Sequence, residues 1–410
     1  MVALSLTLLT TLYLVLLWIA SSVFRGKGLV IAILGVLVLW LALSEFRRGR
    51  RTLFYRLCFL MALCAAAVLA CEGVLYLYPG LPKGRLANYV SHGYHGEPGG
   101  IFVRDPLLGH AMRPSFRRAM YWNGHVWQHE TNADGYRGPR LARADAVALG
   151  DAMIYGHGIE QDQTVPARFA AITGLATANL GQQGSCVIQS LELLRRTGLA
   201  LRPRLILVCL HATDVVDALH WYPPEELERF LSEAGYRPLA RPIYRTPPPL
   251  NVFERWYLHV ALPLRSGRAL QGLISVPHDR ALEAHLPLSQ GDRFLPTAEA
   301  LATPFSPEAP NAVPEERLGW RANCRALAEI EQEARRIGAR VIVFDLGYPL
   351  AFSAAVEQAA QEVGAAYCDT GRRVLTRAQA GENMYLARDG HWTPEGSDAI
   401  ARGLAAAARD

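Results

Sequence analysis

Three long apolar runs occupy most of the N-terminal part of the chain. Residues 4–24 contain no charged side chain, a second run covers 29–45, and a third covers 57–71 and continues past Glu72 to Tyr78. A helix that crosses a bilayer needs about 20 apolar residues, with about 17 as the lower limit. The apolar core of a secretory signal peptide is only about 7–15 residues long. The pattern therefore predicts three N-terminal transmembrane helices.

The loops between these runs differ in positive charge. Only Arg25 and Lys27 separate the first run from the second, whereas five arginines separate the second from the third, namely Arg47, Arg48, Arg50, Arg51 and Arg56. Since positive loops stay on the cytoplasmic side, we expect a cytoplasmic N-terminus and an extracytoplasmic chain after Tyr78. This predicts a bacterial inner-membrane protein with a periplasmic domain, whose partners are the lipid bilayer and an integral membrane protein packed on its helices.

From about residue 146 onward, short apolar runs alternate with amphipathic stretches. The runs predict strands at Ala146–Leu149, Thr177–Leu180, Leu205–Leu210, Arg340–Leu346 and Ala365–Asp369. The amphipathic stretches predict helices at 164–173, 186–198, 315–337, 353–363 and 394–408. This alternation is typical of an α/β domain with a parallel sheet and helices on both faces. We therefore divide the chain into an anchor (1–78), a linker that leads into the domain (79–145) and the domain itself (146–410).

Three polar or glycine positions follow directly after predicted strands. Asp151, Gly181 and Thr213 each lie just past the carboxyl end of a strand. Ligands of open parallel sheets bind beyond these ends, so the three positions are expected to share one site.

Charge and cysteine usage exclude several classes of function. The net charge is +5, and no basic stripe with interleaved aromatic residues indicates nucleic-acid binding. Four cysteines lie beyond the apolar runs, at Cys186, Cys209, Cys324 and Cys368, and they show no paired metal-ligand spacing. We therefore expect neither a metal nor a cofactor.

Two segments at opposite ends of the α/β domain carry candidate chemistry. Residues 149–158 read Leu-Gly-Asp-Ala-Met-Ile-Tyr-Gly-His-Gly, and residues 387–396 read Ala-Arg-Asp-Gly-His-Trp-Thr-Pro-Glu-Gly. In the second segment a local turn can bring the carboxylate of Asp389 to the imidazole of His391 and fix its tautomer. The two segments resemble the first and last blocks of the SGNH/GDSL family of esterases and acyltransferases. The resemblance implies a flavodoxin-like three-layer α/β/α domain.

The resemblance also shows what the first block lacks. The family's Gly-Asp-Ser supplies the attacking hydroxyl, and its late Asp–His pair supplies the base; here Asp389 and His391 are in place, but the serine position is Ala152. A methyl group cannot attack a carbonyl carbon. Asp151 corresponds to the acid that supports the first turn.

The two middle blocks, which carry the oxyanion donors, are only partly matched. Asn-Leu-Gly-Gln-Gln-Gly at 179–184 resembles the second block, in which Gly181 would offer its backbone N–H. In the third block, Thr213 stands where the family has asparagine, and Asp214 follows it. Two further candidates for a nucleophile, Ser185 and Cys186, follow the glycine turn, and the carboxylate of Asp151 is a third.

The histidines and the insertion near these blocks are weaker indications of function. His157 and His211 lie close to the site in sequence, but lone histidines are more often structural than ligands. Residues 218–314 are an insertion in family terms, in which proline-rich pieces flank a helical pattern at 252–274. Such insertions commonly shape the mouth of a site. Thr131–Gly138 resembles a segment found upstream of the first block in membrane-associated members, and Asn132 also indicates a turn there.

Two functions are compatible with this pattern. The departures at Ala152 and Thr213 favour a non-catalytic binding or scaffolding subunit of a membrane or envelope complex, with a carbohydrate or acyl ligand. The preserved Asp389–His391 pair favours an esterase or O-acyltransferase acting on cell-envelope polysaccharide, inactivated here by a Ser-to-Ala change.

Overall fold

The computed structural model describes residues 101–122, 125–241, 294–387 and 389–409, with a few single positions between 48 and 74. Apart from those single positions, the three predicted transmembrane helices lie outside the described residues, as does the helical pattern at 252–274. Within the described part of the chain, no helix is both long and apolar enough to cross a bilayer. The chain divides into two compact units, and apart from Trp122 the elements given below belong to the unit formed by 93–121, 125–246 and 286–410.

Strands of the described residues form three sheets. They are β1 (Phe102–Asp105), β2 (Gly109–Met112), β3 (Arg117–Trp122), β4 (His125–Glu130), β5 (Ala146–Leu149), β6 (Thr177–Asn179), β7 (Leu205–Leu210), β8 (Arg340–Asp345) and β9 (Ala366–Tyr367). β1 pairs with β2, β3 pairs with β4, and the remaining strands form a five-stranded sheet in the order β6-β5-β7-β8-β9. All pairs within the five-stranded sheet are parallel. Counted from β5, the order is 2-1-3-4-5, which is that of flavodoxin-like sheets. The predicted parallel sheet is confirmed.

Helices connect these strands. They are α1 (Ala152–Tyr155), α2 (Val165–Thr173), α3 (Val187–Leu193), α4 (Asp214–Trp221), α5 (Pro224–Ser232), α6 (Ala298–Ala302), α7 (Pro314–Ile337), α8 (Leu350–Val363), α9 (Thr370–Gln379) and α10 (Pro394–Ala407). Short 3-10 turns cover Gln161–Gln163 and Leu199–Leu201, and a π-helical turn covers Leu194–Gly198. The stretch 186–198, predicted as one helix, is therefore α3 followed by this π-helical turn.

Alternating side chains of the sheet divide the core into two halves. On β7, Ile206 and Val208 belong to one buried cluster, whereas Leu207 and Cys209 belong to the other. Successive side chains of a strand point to opposite faces, so the two clusters lie on opposite sides of the sheet. The first is completed by α3, α4, α5, α7 and α8, and the second by α1, α2, α9 and α10. This is the three-layer α/β/α arrangement.

The segment before β5, expected to be a linker, contains the two hairpins β1–β2 and β3–β4. The turn after β4 is organised by Asn132, whose Oδ1 accepts the N–H groups of Asp134 and Tyr136. Gly135 has a φ of +88°, and a Cβ there would lie 2.5 Å from the carbonyl oxygen of Met112. Glycine is therefore required both by the backbone conformation and by the close approach to β2.

Candidate functional site

Ala152 lies where the first strand of the parallel sheet turns into α1. Gly150, directly after β5, has a φ of +151°, and a Cβ there would lie 2.9 Å from the Cβ of Cys209. Asp151 caps α1, because its Oδ1 accepts the N–H of Met153 over 2.9 Å. Ala152 itself is half-buried. Position 152 is therefore held at the carboxyl edge of the sheet by a capped turn, but it presents only a methyl group.

The predicted Asp–His pair is formed. Nδ1 of His391 lies 2.7 Å from Oδ1 of Asp389, and the side chain of Asp389 is 6% exposed whereas that of His391 is 23% exposed. Gly390 between them has a φ of +82°, and a Cβ there would lie 2.9 Å from the ring of Phe294. Phe294 belongs to the insertion, so this end of the insertion packs directly against the Asp–His turn.

The charges of the pair reinforce each other. Burial acts to lower the pKa of His391, but the carboxylate of Asp389 and the charge of Asp151 outweigh it, so this pKa is raised above 6.5. Burial acts to raise the pKa of Asp389, but the charge of His391 and the hydrogen bonds from both His157 and His391 hold it well below its usual range. Asp389 is therefore ionised at neutral pH, as an orienting acid must be.

The sequence placed His157 near the site but favoured a structural role for it, whereas the structure brings it into contact with Asp389 and His391. Its Nε2 lies 3.5 Å from Oδ2 of Asp389, and its Nδ1 lies 3.2 Å from Oε1 of Gln183. Its ring also packs on that of His391, with the centroids 4.4 Å apart and the planes at 38°. Potential ligand atoms of His157, Asp389 and His391 all lie within 4.8 Å of one another, so these residues could hold a metal ion. Sequence spacing could not reveal this group, because the fold brings its members together from the two ends of the domain.

Arg137 supports the loop that carries His157. Its buried guanidinium donates to the carbonyl oxygens of Tyr155, Gly156 and Ile159, the last over 2.9 Å. The upstream motif at 131–138 is thereby explained: its turn delivers a cation to the C-terminal end of α1. The arginine fixes the loop by binding carbonyls on both sides of His157.

Gly181 lies beside the first turn, as expected, but its amide is engaged. The N–H of Gly181 donates to Oδ1 of Asn179 over 3.0 Å, and Nδ2 of Asn179 donates to the carbonyl of Ile154. A Cβ at Gly181 would lie 2.5 Å from the backbone nitrogen of Tyr155. The glycine is therefore required for close packing on α1, and its N–H is directed at the asparagine side chain.

Thr213 and Asp151 meet through a histidine. Nδ1 of His211 lies 3.2 Å from Oδ2 of Asp151 and 2.8 Å from Oγ1 of Thr213. Burial acts to raise the pKa of Asp151, but the hydrogen bond and charge of His211 outweigh it and lower this pKa. This cluster joins the ends of β5 and β7, the point at which the strand order reverses and at which ligands of such sheets bind.

Two further acids stand behind this cluster on α4. Asp214 is buried and accepts the N–H of His211 over 3.0 Å; burial and the charge of Asp151 raise its pKa well above the usual value. The same two causes, burial and the charge of Asp151, raise the pKa of Asp217 to about 6. Asp214 therefore supports the β7–α4 turn.

The alternative nucleophiles have structural roles. Oγ of Ser185 donates toward the carbonyl oxygens of Gly150 and Gln182, at 3.1 and 2.9 Å. Cys186 caps α3, and burial raises the pKa of its thiol. A thiol with a raised pKa is a poor nucleophile at neutral pH.

Comparisons with known proteins give similarities of fold. No protein-family model matches the chain, and no curated protein matches it. Among solved structures, it is similar to a G-D-S-L family protein from Desulfitobacterium hafniense, with 11% identity and a TM-score of 0.33 over 64% of this chain and 97% of that chain. A GDSL-like lipase from Bacteroides thetaiotaomicron has 14% identity and a TM-score of 0.31 over 64% and 87%. A catalytic mutant of an acetylxylan esterase from Geobacillus stearothermophilus has 10% identity and a TM-score of 0.32 over 65% and 94%.

Because the identities and TM-scores are low, the roles of the site residues are inferred from this chain's own residues and not from these structures. Those residues follow the order of the family's blocks along a 2-1-3-4-5 parallel sheet: Ala152 after β5, Gly181 after β6, Thr213 after β7, and the Asp389–His391 pair before α10. The domain is a flavodoxin-like α/β/α domain whose site residues follow the block order of the SGNH/GDSL family.

Proposed function

We propose that this domain binds an acylated or carbohydrate ligand without turning it over. The observation that carries the proposal is the methyl group of Ala152 at the start of α1, where the family has its serine. Acyl transfer through a covalent intermediate requires a hydroxyl or thiol beside the base. In this chain the base and its orienting acid are present, and the attacking group is absent from its place.

The oxyanion side supports the same conclusion. The N–H of Gly181 donates to Asn179, and the hydroxyl of Thr213 lies 2.8 Å from His211. Both groups that would stabilise a developing oxyanion therefore already have partners within the protein. Loss of one such donor typically lowers the rate by about 10²–10³.

The side chains at the carboxyl edge of the sheet suit a hydroxyl-rich ligand. His391 and His211 are each 23% exposed and Thr213 is exposed, so all three are accessible from solvent. They offer hydrogen-bond donors and acceptors beside the carboxylates of Asp151 and Asp389. Alternating donors and acceptors of this kind match sugar hydroxyls and ester carbonyls.

The apolar N-terminal runs also suggest where in the cell the domain acts. Three transmembrane helices within 1–78 would anchor the domain on the outer side of a bacterial inner membrane. More helices than a simple anchor needs could pack against an integral membrane partner. The domain would then act as a binding subunit of an envelope complex.

A second candidate is an esterase or O-acyltransferase of envelope polysaccharide whose serine has been replaced. It is favoured by one observation, the 2.7 Å contact between Asp389 and His391, because a base that no longer acts need not keep its orienting acid. In this case Ala152→Ser would restore ester hydrolysis that depends on His391.

Titration of the full-length chain with an acetylated xylo-oligosaccharide tests the proposal. We expect saturable binding by calorimetry, weakened by His391→Ala and by Thr213→Ala, without release of acetate. Exposed Thr303→Ala is the matched control and should bind normally. Release of acetate that depends on His391, or a complete lack of binding to acetylated and plain oligosaccharides, would overturn it.

A further inference from the structure

A second kind of site lies where His157 contacts the Asp–His turn, which contains Asp389 and His391. We propose that these three residues bind one divalent transition-metal ion of the zinc class, with a coordination position left for water or a ligand oxygen. Two imidazoles and one carboxylate are a donor set that zinc accepts readily, and three protein ligands are typical of zinc sites with an open position. This inference goes beyond the proposed function and does not depend on it.

The distances fit such an ion. Zinc bonds to histidine nitrogen and carboxylate oxygen are about 2.0–2.2 Å long, which separates neighbouring ligands of a tetrahedron by roughly 3.3–3.5 Å. Nε2 of His157 lies 3.5 Å from Oδ2 of Asp389. The third ligand, a ring nitrogen of His391, lies within 4.8 Å of the other two ligand atoms.

Gln183 orients the first of these ligands. Its Oε1 lies 3.2 Å from Nδ1 of His157. In the tautomer that carries its proton on Nδ1, His157 donates to this amide oxygen and offers the lone pair of Nε2 to a metal ion. Histidine ligands of metals commonly donate their other ring N–H to an oxygen in this way. With an ion bound, this lone pair and the carboxylate oxygen of Asp389 would both face the cation.

The same geometry has one rival explanation. If the amide of Gln183 is turned over, its NH₂ group donates to Nδ1 of His157, and Nε2–H of His157 donates to Asp389. The orientation of a glutamine amide is assigned from its hydrogen bonds, so the two arrangements differ in protons and not in heavy-atom positions. The rival arrangement has no lone pair for a metal, and metal titration therefore distinguishes the two.

The buried position of the group favours selective binding. The side chains of His157 and Asp389 are 2% and 6% exposed, respectively, while that of His391 is 23% exposed. The ion would thus be held from the protein side by two buried ligands and reached from solvent past the third. The ring of Trp127 also packs on that of His157, with the centroids 5.1 Å apart.

Metal titration of the full-length, untagged chain after chelator treatment tests this proposal. We expect one Zn²⁺ per chain by calorimetry, and with Co²⁺ the intense visible absorption of a four- or five-coordinate ion. His157→Gln and Asp389→Asn should each abolish the absorption. Gln183→Ala, which removes only the orienting group, should weaken binding by about 10–100-fold. Exposed His220→Gln is the matched control and should bind like the unmodified chain.

Two results would overturn the proposal: no stoichiometric Zn²⁺ binding, or binding that His157→Gln and Asp389→Asn leave unchanged. If either ligand variant fails to fold, His391→Gln and Gln183→Ala decide in its place, because they alter an accessible ligand and an orienting side chain. Ligand binding to the oligosaccharide probe is measured separately, so failure here leaves the proposed function intact.

Discussion

Oδ1 of Asp389 lies 2.7 Å from Nδ1 of His391, although position 152 offers no hydroxyl for that histidine to activate. The pair therefore persists as a charged hydrogen-bonded unit within the closing turn. Its carboxylate is shared, since Oδ2 of Asp389 faces His157. A unit of this kind can bind a ligand, a proton or a metal ion without catalysing acyl transfer.

Asp389→Asn should lower the pKa of His391. Burial acts to lower this pKa, and in the unmodified chain the charge of Asp389 overcomes burial and raises it above 6.5. With the carboxylate gone, only Asp151 opposes burial. Titration of the His391 ring protons by NMR should show the shift, and an unchanged pKa would contradict the assignment of Asp389 as its partner.

The same variant should alter stability in a pH-dependent manner. Because the folded pKa of His391 lies above the unfolded value, protonated His391 stabilises the fold below about pH 6.5, and this contribution is lost as pH rises through the folded pKa. Asp389→Asn reverses the sign of this contribution. The difference in the free energy of unfolding between the two proteins should therefore widen as pH falls from 8 to 5. A difference that stays constant over this range would contradict the linkage.

Arg137→Met should destabilise the domain by about 3 kcal/mol, because it leaves the carbonyls of Tyr155, Gly156 and Ile159 buried without their donor. Chemical denaturation measures the change. Arg137→Lys should recover only part of it, since an ammonium cannot reproduce the planar fork. The control is Arg140→Met, whose side chain is 69% exposed and paired with Asp134; its effect should stay within about 0.5 kcal/mol.

Asp217→Asn should stabilise the fold at alkaline pH and not at acid pH. The pKa of Asp217 is raised to about 6 by burial and by Asp151, so the folded state resists its ionisation. For an acid with a raised folded pKa, stability is complete below the unfolded value and falls as pH rises through about 6. The gain at pH 8 should reach up to about 3 kcal/mol. Asp398→Asn, paired with Arg402 on the surface, is the control; an equal gain at pH 4 would contradict the prediction.

Thr213→Asn should raise the activity of an Ala152→Ser chain. The asparagine amide can donate farther than the threonine hydroxyl, so kcat/KM toward an aryl acetate should rise by about 10²–10³. Thr303→Asn in the same background is the control and should leave kcat/KM unchanged. If Thr213→Asn has no effect, position 213 does not face the oxyanion.

The strands of the parallel sheet were predictable because most of them are short apolar runs that alternate with amphipathic stretches. β5 and β7 have the predicted bounds, and β6 ends one residue early, at Asn179. β9 is limited to Ala366–Tyr367, as an edge strand with one neighbour gains less from pairing. The helices α4, α5 and α9 were not among the predicted ones; α4 begins at Asp214 and runs into the insertion, and α5 lies within it.

The local part of the site was predictable and the long-range part was not. Asp389 and His391 are two positions apart, so a turn alone brings them together. His157 contacts Asp389, which is distant in sequence, and Arg137 donates to backbone carbonyls. Neither kind of contact leaves a pattern that can be recognised in a single sequence. Gly181 was located correctly, but only the structure reveals that Asn179 takes its N–H.

Hydrolysis of a small aryl acetate by the full-length chain, with a chelator present, tests the central claim most directly. The account predicts that the chain with Ala152 hydrolyses the ester no faster than its His391→Ala variant, because it has no nucleophile beside the base. Ala152→Ser in parallel shows whether the remaining site is competent. Turnover by the Ala152 chain that His391→Ala abolishes would contradict the account.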